Sequence, residues 1–201
     1  MGGVVVLVSA RAVAVFCGSR SGHDPVLRAA AVTLGAGLAA QGIRLIYGGG
    51  RVGLMGAVAD AVLAGGGEVT GVIPDFLTRL EVAHPGVDDL RVTDSMHTRK
   101  RIMFDMADAF VTLPGGFGTL DETVEVLTWR QLGLHEKPII LCNSGTWADA
   151  LLGALRSTVT QGFASVDSLE MLEVLDGPEA VLARLAALPA RAEAEAESAR
   201  L

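Results

Sequence analysis

Residues 109–132 read AFVTLPGGFGTLDETVEVLTWRQL. Ala109 to Leu113 is a short β-forming run. Pro114 and three glycines end it, and a helix follows to about Leu132. A strand that turns on glycine into a helix is half of a β–α–β unit. The same succession recurs on both sides. Upstream, strands are expected at Ala12–Cys17, Arg44–Tyr47, Val69–Ile73 and Leu90–Thr93. Helices are expected from Pro25 to Gln41, from the GGGRVGLMG segment to about Ala64, and from Ser95 to Ala107. Downstream come a strand at Pro138–Cys142, a helix at Trp147–Thr160, a last strand near Met171–Val174 and a last helix at Glu179–Ala187. Pro74 to Asp89 reads as a long polar excursion. This alternation predicts one α/β domain, doubly wound, with a mainly parallel sheet and helices on both faces.

Composition agrees. A chain of 201 residues is most simply one domain. Half of it is hydrophobic, only 4% is aromatic, and 25 residues are glycine. Such a composition suits parallel strands buried on both faces. The formal net charge of -7 supplies no basic surplus for nucleic acid or an anionic membrane. Cys17 and Cys142 form no CxxC pair, which fits a reducing, cytoplasmic setting. The apolar stretch VVVLVSARAVAVFCG is broken by Arg11 and falls short of the ~20 residues that a span requires, so neither a membrane helix nor a signal peptide is expected. Residues 1–11 are an extension of unknown role, 12–188 the domain, and 189–201 a charged, low-complexity tail.

In open α/β sheets ligands bind at the carboxyl ends of the strands. Three glycine-rich segments sit there: GSRSG after the first strand, GGGRVG after the second, PGGFGT after the fifth. Gly48, Gly50 and Gly53 match GxGxxG, a weak signal alone. Ile73 and Pro74 occupy the position where a dinucleotide fold carries an acid, which disfavours NAD. PGGFGT is more telling. Gly115, Gly116 and Gly118 free backbone N–H groups to converge, and the helix expected to begin at Thr119 adds its positive dipole end. No lysine follows as in a triphosphate loop, so a monophosphate is the better match.

Glu122 has two readings. Thr119-Leu120-Asp121-Glu122 is T-x-x-E, a capping box in which Glu122 would reach back to the Thr119 N–H. Alternatively, its carboxylate does chemistry. The SMHTRKRIM segment, Ser95 to Met103, also has two. Arg99, Lys100 and Arg101 stand near a helix start, where cations oppose the dipole. They form either a solvated basic face or the front of an anion site.

GGGRVGLMG, MHTRK and PGGFGTLDE, in this order, resemble the LOG family, formerly called "lysine decarboxylase-like". Its members are cytokinin riboside 5′-monophosphate phosphoribohydrolases. The resemblance covers about Ala12 to Gly162. It implies a Rossmann-like fold, cleavage of the N-glycosidic bond of a nucleoside 5′-monophosphate, neither metal nor redox cofactor, and a homodimer, larger in some branches. Carried onto this chain, it implies Arg99 and Glu122 as the catalytic pair. It implies substrate contacts from Gly49, Glu81, Met96, Lys100, Gly115, Gly116, Phe117, Gly118, Thr119 and Thr128, with Ser19 lining the same pocket. Phe117 stands where many members have tyrosine. Nothing in the chain resembles a pyridoxal-phosphate lysine motif. A non-catalytic nucleotide or molybdenum-cofactor carrier of the same fold is the alternative. Met103, Met106, Trp129 and Leu132 are either subunit contacts or plain core.

Overall fold

A computed structural model describes residues 12–80 and 82–188. The expectations placed on the 1–11 extension, on Glu81 and on the 189–201 tail lie outside the described residues.

The order of elements is β1 (Ala12–Phe16), α1 (Pro25–Ala40), β2 (Arg44–Tyr47), α2 (Gly53–Ala64), β3 (Val69–Pro74), β4 (Asp89–Thr93), α3 (Met96–Met106), β5 (Ala109–Thr112), α4 (Phe117–Gln131), β6 (Ile139–Asn143), α5 (Trp147–Thr160), α6 (Asp167–Glu170), β7 (Leu172–Asp176) and α7 (Gly177–Ala186). Local chemistry fixes several starts. The Asp24 carboxylate accepts the Val26 N–H, and Pro25 opens α1 where a missing N–H costs nothing. Ser95 caps α3 by accepting the Thr98 N–H at 3.1 Å.

The strands lie in the order β4-β3-β2-β1-β5-β6-β7, and every pairing is parallel. This is a Rossmann-like α/β fold. Alternate side chains of each strand serve opposite cores. Val13, Val15, Leu45, Val111 and Ile140 pack with α1, α2 and α7 on one face. Ala14, Phe16, Ile46, Phe110 and Leu141 pack with α3, α4 and α5 on the other. Both faces are covered, so the strands are apolar throughout rather than alternating with polar residues.

From β1 the chain winds outward through β2, β3 and β4, then returns to lay β5 on the other side of β1. Strand order therefore reverses between β1 and β5. The crevice outside their carboxyl ends is where such sheets bind ligands.

Three expectations change. The excursion after β3 holds a 3₁₀ turn at Asp75–Leu77 and an antiparallel bridge from Ala83 to Gly50. The four-residue α6 was not anticipated. Most consequentially, α4 starts at Phe117 and not at Thr119. Gly116 is the N-cap, its carbonyl accepting the Leu120 N–H, and it has no side chain with which to cap the helix. Thr119 is thus already in the third helical position. Glu122 lies six residues past the cap, too far along to close a capping box.

Candidate active site

Backbone hydrogen bonds stitch the three glycine loops together. The Leu113 N–H donates to the Phe16 carbonyl at 2.9 Å, and Gly18 N–H to the Pro114 carbonyl at 3.1 Å. The N–H groups of Leu54 and Met55, at the start of α2, donate to the Gly18 carbonyl at 3.0 and 3.2 Å. This crossing demands glycine at 115. A Cβ there would lie 2.0 Å from Thr119 Oγ1 and 2.9 Å from the Gly18 nitrogen. The Trp147 indole N–H, from the start of α5, donates to the Gly115 carbonyl at 3.0 Å.

Between these loops lies a cleft of about 570 Å³. Ser19, Arg20, Met96, Arg99, Glu122 and the 114–119 loop line it. The first turn of α4 opens onto it. Helix geometry leaves the amides of Phe117, Gly118 and Thr119 without an intrahelical acceptor, and Gly116 offers no side chain to take their place. With the dipole behind them, these donors form an anion-binding end.

Beside this end lie Arg99 from α3 and Glu122 from α4, only 5% and 8% exposed. Arg99 Nη2 is 4.0 Å from Glu122 Oε1 and donates to the Gly48 carbonyl at 3.3 Å. Nη1 lies 3.7 Å from Met96 Sδ. Nε is buried with no hydrogen-bond partner among the described residues. An unpaired buried donor costs about 1–3 kcal/mol, and a buried ion pair adds little stability to offset it. Such arrangements are found where function requires them.

Thr123, next to Glu122 in the chain, is buried and hydrogen-bonded. The Thr123 hydroxyl donates to the Thr119 carbonyl at 2.7 Å, so the Thr112 hydroxyl, 2.9 Å away, donates to Thr123 in turn. This buried relay ties the first turns of α4 to the end of β5.

The residues named from sequence divide into two groups. Ser19, Met96, Arg99, Gly115, Gly116, Phe117, Gly118, Thr119 and Glu122 line the cleft. Phe117 stands at its mouth, 93% exposed. Gly49, Lys100 and Thr128 do not line it. Gly49 has φ +76° and its carbonyl accepts the His84 N–H at 3.0 Å, holding the segment after the 3₁₀ turn. Lys100 Nζ lies 3.1 Å from Asp121 and 3.0 Å from Glu125, clamping α3 to α4. Burial pulls the Lys100 ammonium pKa down, but the Glu125 and Asp121 carboxylates outweigh it and leave it raised. Thr128 donates to the Val124 carbonyl at 2.7 Å, within its own helix. Arg20 and Trp147 were not anticipated. Placing β1 next to β5 would have indicated Arg20, since its loop leaves the central strand.

A family model described as "Possible lysine decarboxylase" matches residues 55–185. A rice (Oryza sativa subsp. japonica) protein named "Probable cytokinin riboside 5'-monophosphate phosphoribohydrolase LOGL9" is 52% identical over 153 residues, 76% of this chain and 67% of that one. The chain belongs to the LOG family. A bacterial relative, the cytokinin riboside 5′-monophosphate phosphoribohydrolase of Rhodococcoides fascians, is 45% identical over 154 residues, 76% of this chain and 78% of its own. Among solved structures, the molybdenum cofactor binding protein of Rippkaea orientalis superposes with a TM-score of 0.68 at 23% identity, over 88% of this chain and 95% of that one. The Moco carrier protein of Chlamydomonas reinhardtii gives 0.65 at 19%, over 88% and 95%. At those identities the likeness is one of fold. The LOG relatives are instead alike in sequence, over about three quarters of this chain.

Proposed function

We propose that this LOG-family chain is a hydrolase of nucleoside 5′-monophosphates, cleaving the N-glycosidic bond to free base and ribose 5-phosphate. The observation that carries the reading is the buried Arg99–Glu122 pair beside the uncapped start of α4. The amides of Phe117, Gly118 and Thr119 hold the 5′-phosphate. This anchor spends remote binding energy on positioning the scissile bond. As C1′–N breaks, positive charge grows on the ribose, as in glycoside hydrolysis. The Glu122 carboxylate stabilises that charge and orients the attacking water. Arg99, fixed as a cation, meets the electron pair that departs with the base; its pKa makes it a hydrogen-bond donor rather than an acid. Water adds to C1′, and its proton balances the departing base.

The older decarboxylase name finds no support in the residues. Pyridoxal-phosphate chemistry needs a lysine for its Schiff base. Lys100 and Lys137 are the only lysines in the chain. One is clamped by two carboxylates, and the other donates to the Phe104 carbonyl at 2.7 Å. Neither lines the cleft.

The chain works as a cytoplasmic homodimer in this reading. Two buried cysteines, neither in a disulfide, support a reducing compartment. Leu132 and Leu134, exposed after α4, offer apolar surface for such a contact, whereas Met103 is core. Light scattering on the purified protein checks the dimer.

Incubation with AMP and with N6-isopentenyladenosine 5′-monophosphate tests the activity. Free base and ribose 5-phosphate in equal amounts are expected. Tight binding with no base released from any nucleoside monophosphate would instead favour a carrier, which has no evident use for a buried arginine–glutamate pair.

A further inference from the structure

We infer that Gly48, in the loop after β2, is a positioning residue for Arg99, and that the absence of a side chain there sets where the guanidinium stands relative to Glu122. The inference rests on the phosphoribohydrolase reading above. Gly48 directly follows the second strand, and Arg99 comes from α3, 51 residues later in the chain. The Gly48 carbonyl accepts from Arg99 Nη2 at 3.3 Å, so the backbone at 48 is one wall of the guanidinium's seat. The other wall is the empty volume where a Cβ would be. A Cβ at 48 would stand 2.0 Å from Arg99 Nη2, 3.2 Å from its Cζ and 2.8 Å from Met55 Sδ. Ordinary contact between such atoms is about 3.5–4.0 Å, so a methyl group and this guanidinium cannot both be accommodated.

The atoms struck are the far ends of flexible side chains, not backbone. The fold can therefore absorb alanine, and the displaced group is Arg99. Its alternatives are few. It is 5% exposed, its Nη1 already leans on Met96 Sδ, and Glu122 lies 4.0 Å from Nη2. Any retreat from position 48 changes the Arg99–Glu122 geometry. This gives the first glycine of GGGRVGLMG a role separate from Gly49, which holds the 82–84 segment, and from Gly53, where α2 begins.

The test is a double-mutant cycle on base release from N6-isopentenyladenosine 5′-monophosphate, using Gly48→Ala, Arg99→Ala and the combined variant. Gly48→Ala should lower kcat on the order of 100-fold, the effect of a roughly 1 Å misplacement, while KM, set by the phosphate anchor, changes far less. In the Arg99→Ala background the same substitution should change kcat by no more than about twofold, because the two act as one unit. Gly48→Ala with wild-type kcat overturns the inference. So does a full additional loss on top of Arg99→Ala, which would mean that glycine is needed for the loop itself. Should Gly48→Ala fail to fold, the combined variant decides. If it folds, the collision is with Arg99; if it too is unfolded, the inference is wrong. Gly153→Ala, on the exposed side of α5 with open space around it, is the control and should retain wild-type activity. Wild-type protein that releases no base at all overturns the functional reading itself, and the inference with it.

Discussion

At the scale of single residues, the sequence left Glu122 between a helix cap and a catalytic carboxylate. The structure removes the cap, because α4 starts at Phe117 with glycine before it. Glu122→Gln keeps the side chain's shape and removes its charge, so turnover should fall by about 100-fold or more, with a smaller change in KM. Near-normal kcat in that variant would remove the carboxylate from the mechanism. Arg99 and Glu122 could be named from short motifs because each lies in one. Gly48 could not, because what makes it matter is a contact made 51 residues away.

A second residue sets a pH dependence of stability. His135 Nε2 faces the Val126 carbonyl at 2.9 Å, while Nδ1 accepts the Lys137 N–H at 3.1 Å. The ring is therefore neutral, with its proton on Nε2. Its edge meets the Phe104 and Phe110 rings. Burial pushes its pKa below the ordinary histidine value, and the Lys137 and Arg130 cations add to this. A group whose folded pKa is depressed binds fewer protons in the folded state than in the unfolded one. Its contribution is complete above about pH 6.5, the unfolded value, and is lost as pH falls toward the folded pKa. Urea midpoints measured from pH 7.5 downward should decline through this window. The decline should be shallower in His135→Gln; an unchanged slope would assign it to other groups.

At the scale of elements, the alternation of strand and helix was legible because each glycine loop falls between a β-forming run and a helix. The start of α4 is hidden in the sequence for a physical reason. A glycine cap leaves no polar signature, and T-x-x-E two residues further on imitates one. The resemblance implies Lys100 as a substrate contact, and a cation near a helix start suits a bound anion. Its anions are Asp121 and Glu125, on the neighbouring helix. Lys100 thus acts between elements, fixing α3 against α4 and so Arg99 against Glu122. Lys100→Met should lower kcat and leave KM for the nucleotide nearly unchanged. A large rise in KM with kcat preserved would return Lys100 to the phosphate.

At the scale of the whole molecule, function follows from where strand order reverses. β1 and β5 are neighbours in the sheet although residues 17–108 separate them in sequence. Their loops meet at the crevice, α4 aims its amides into it, and α3 supplies the cation. The identity of the strands could be read from the chain; their order could not, because nothing local records which side of β1 receives β5. In the proposed function, a phosphate held by α4 delivers the glycosidic bond to Arg99 and Glu122. The most direct measurement is kcat/KM for N6-isopentenyladenosine 5′-monophosphate against that for the same nucleoside without its phosphate. Base and ribose 5-phosphate are expected from the nucleotide, with the nucleoside slower by about 100-fold or more. Equal cleavage of the two, or release of base from neither, would rule out the phosphate anchor and the Arg99–Glu122 chemistry that depends on it.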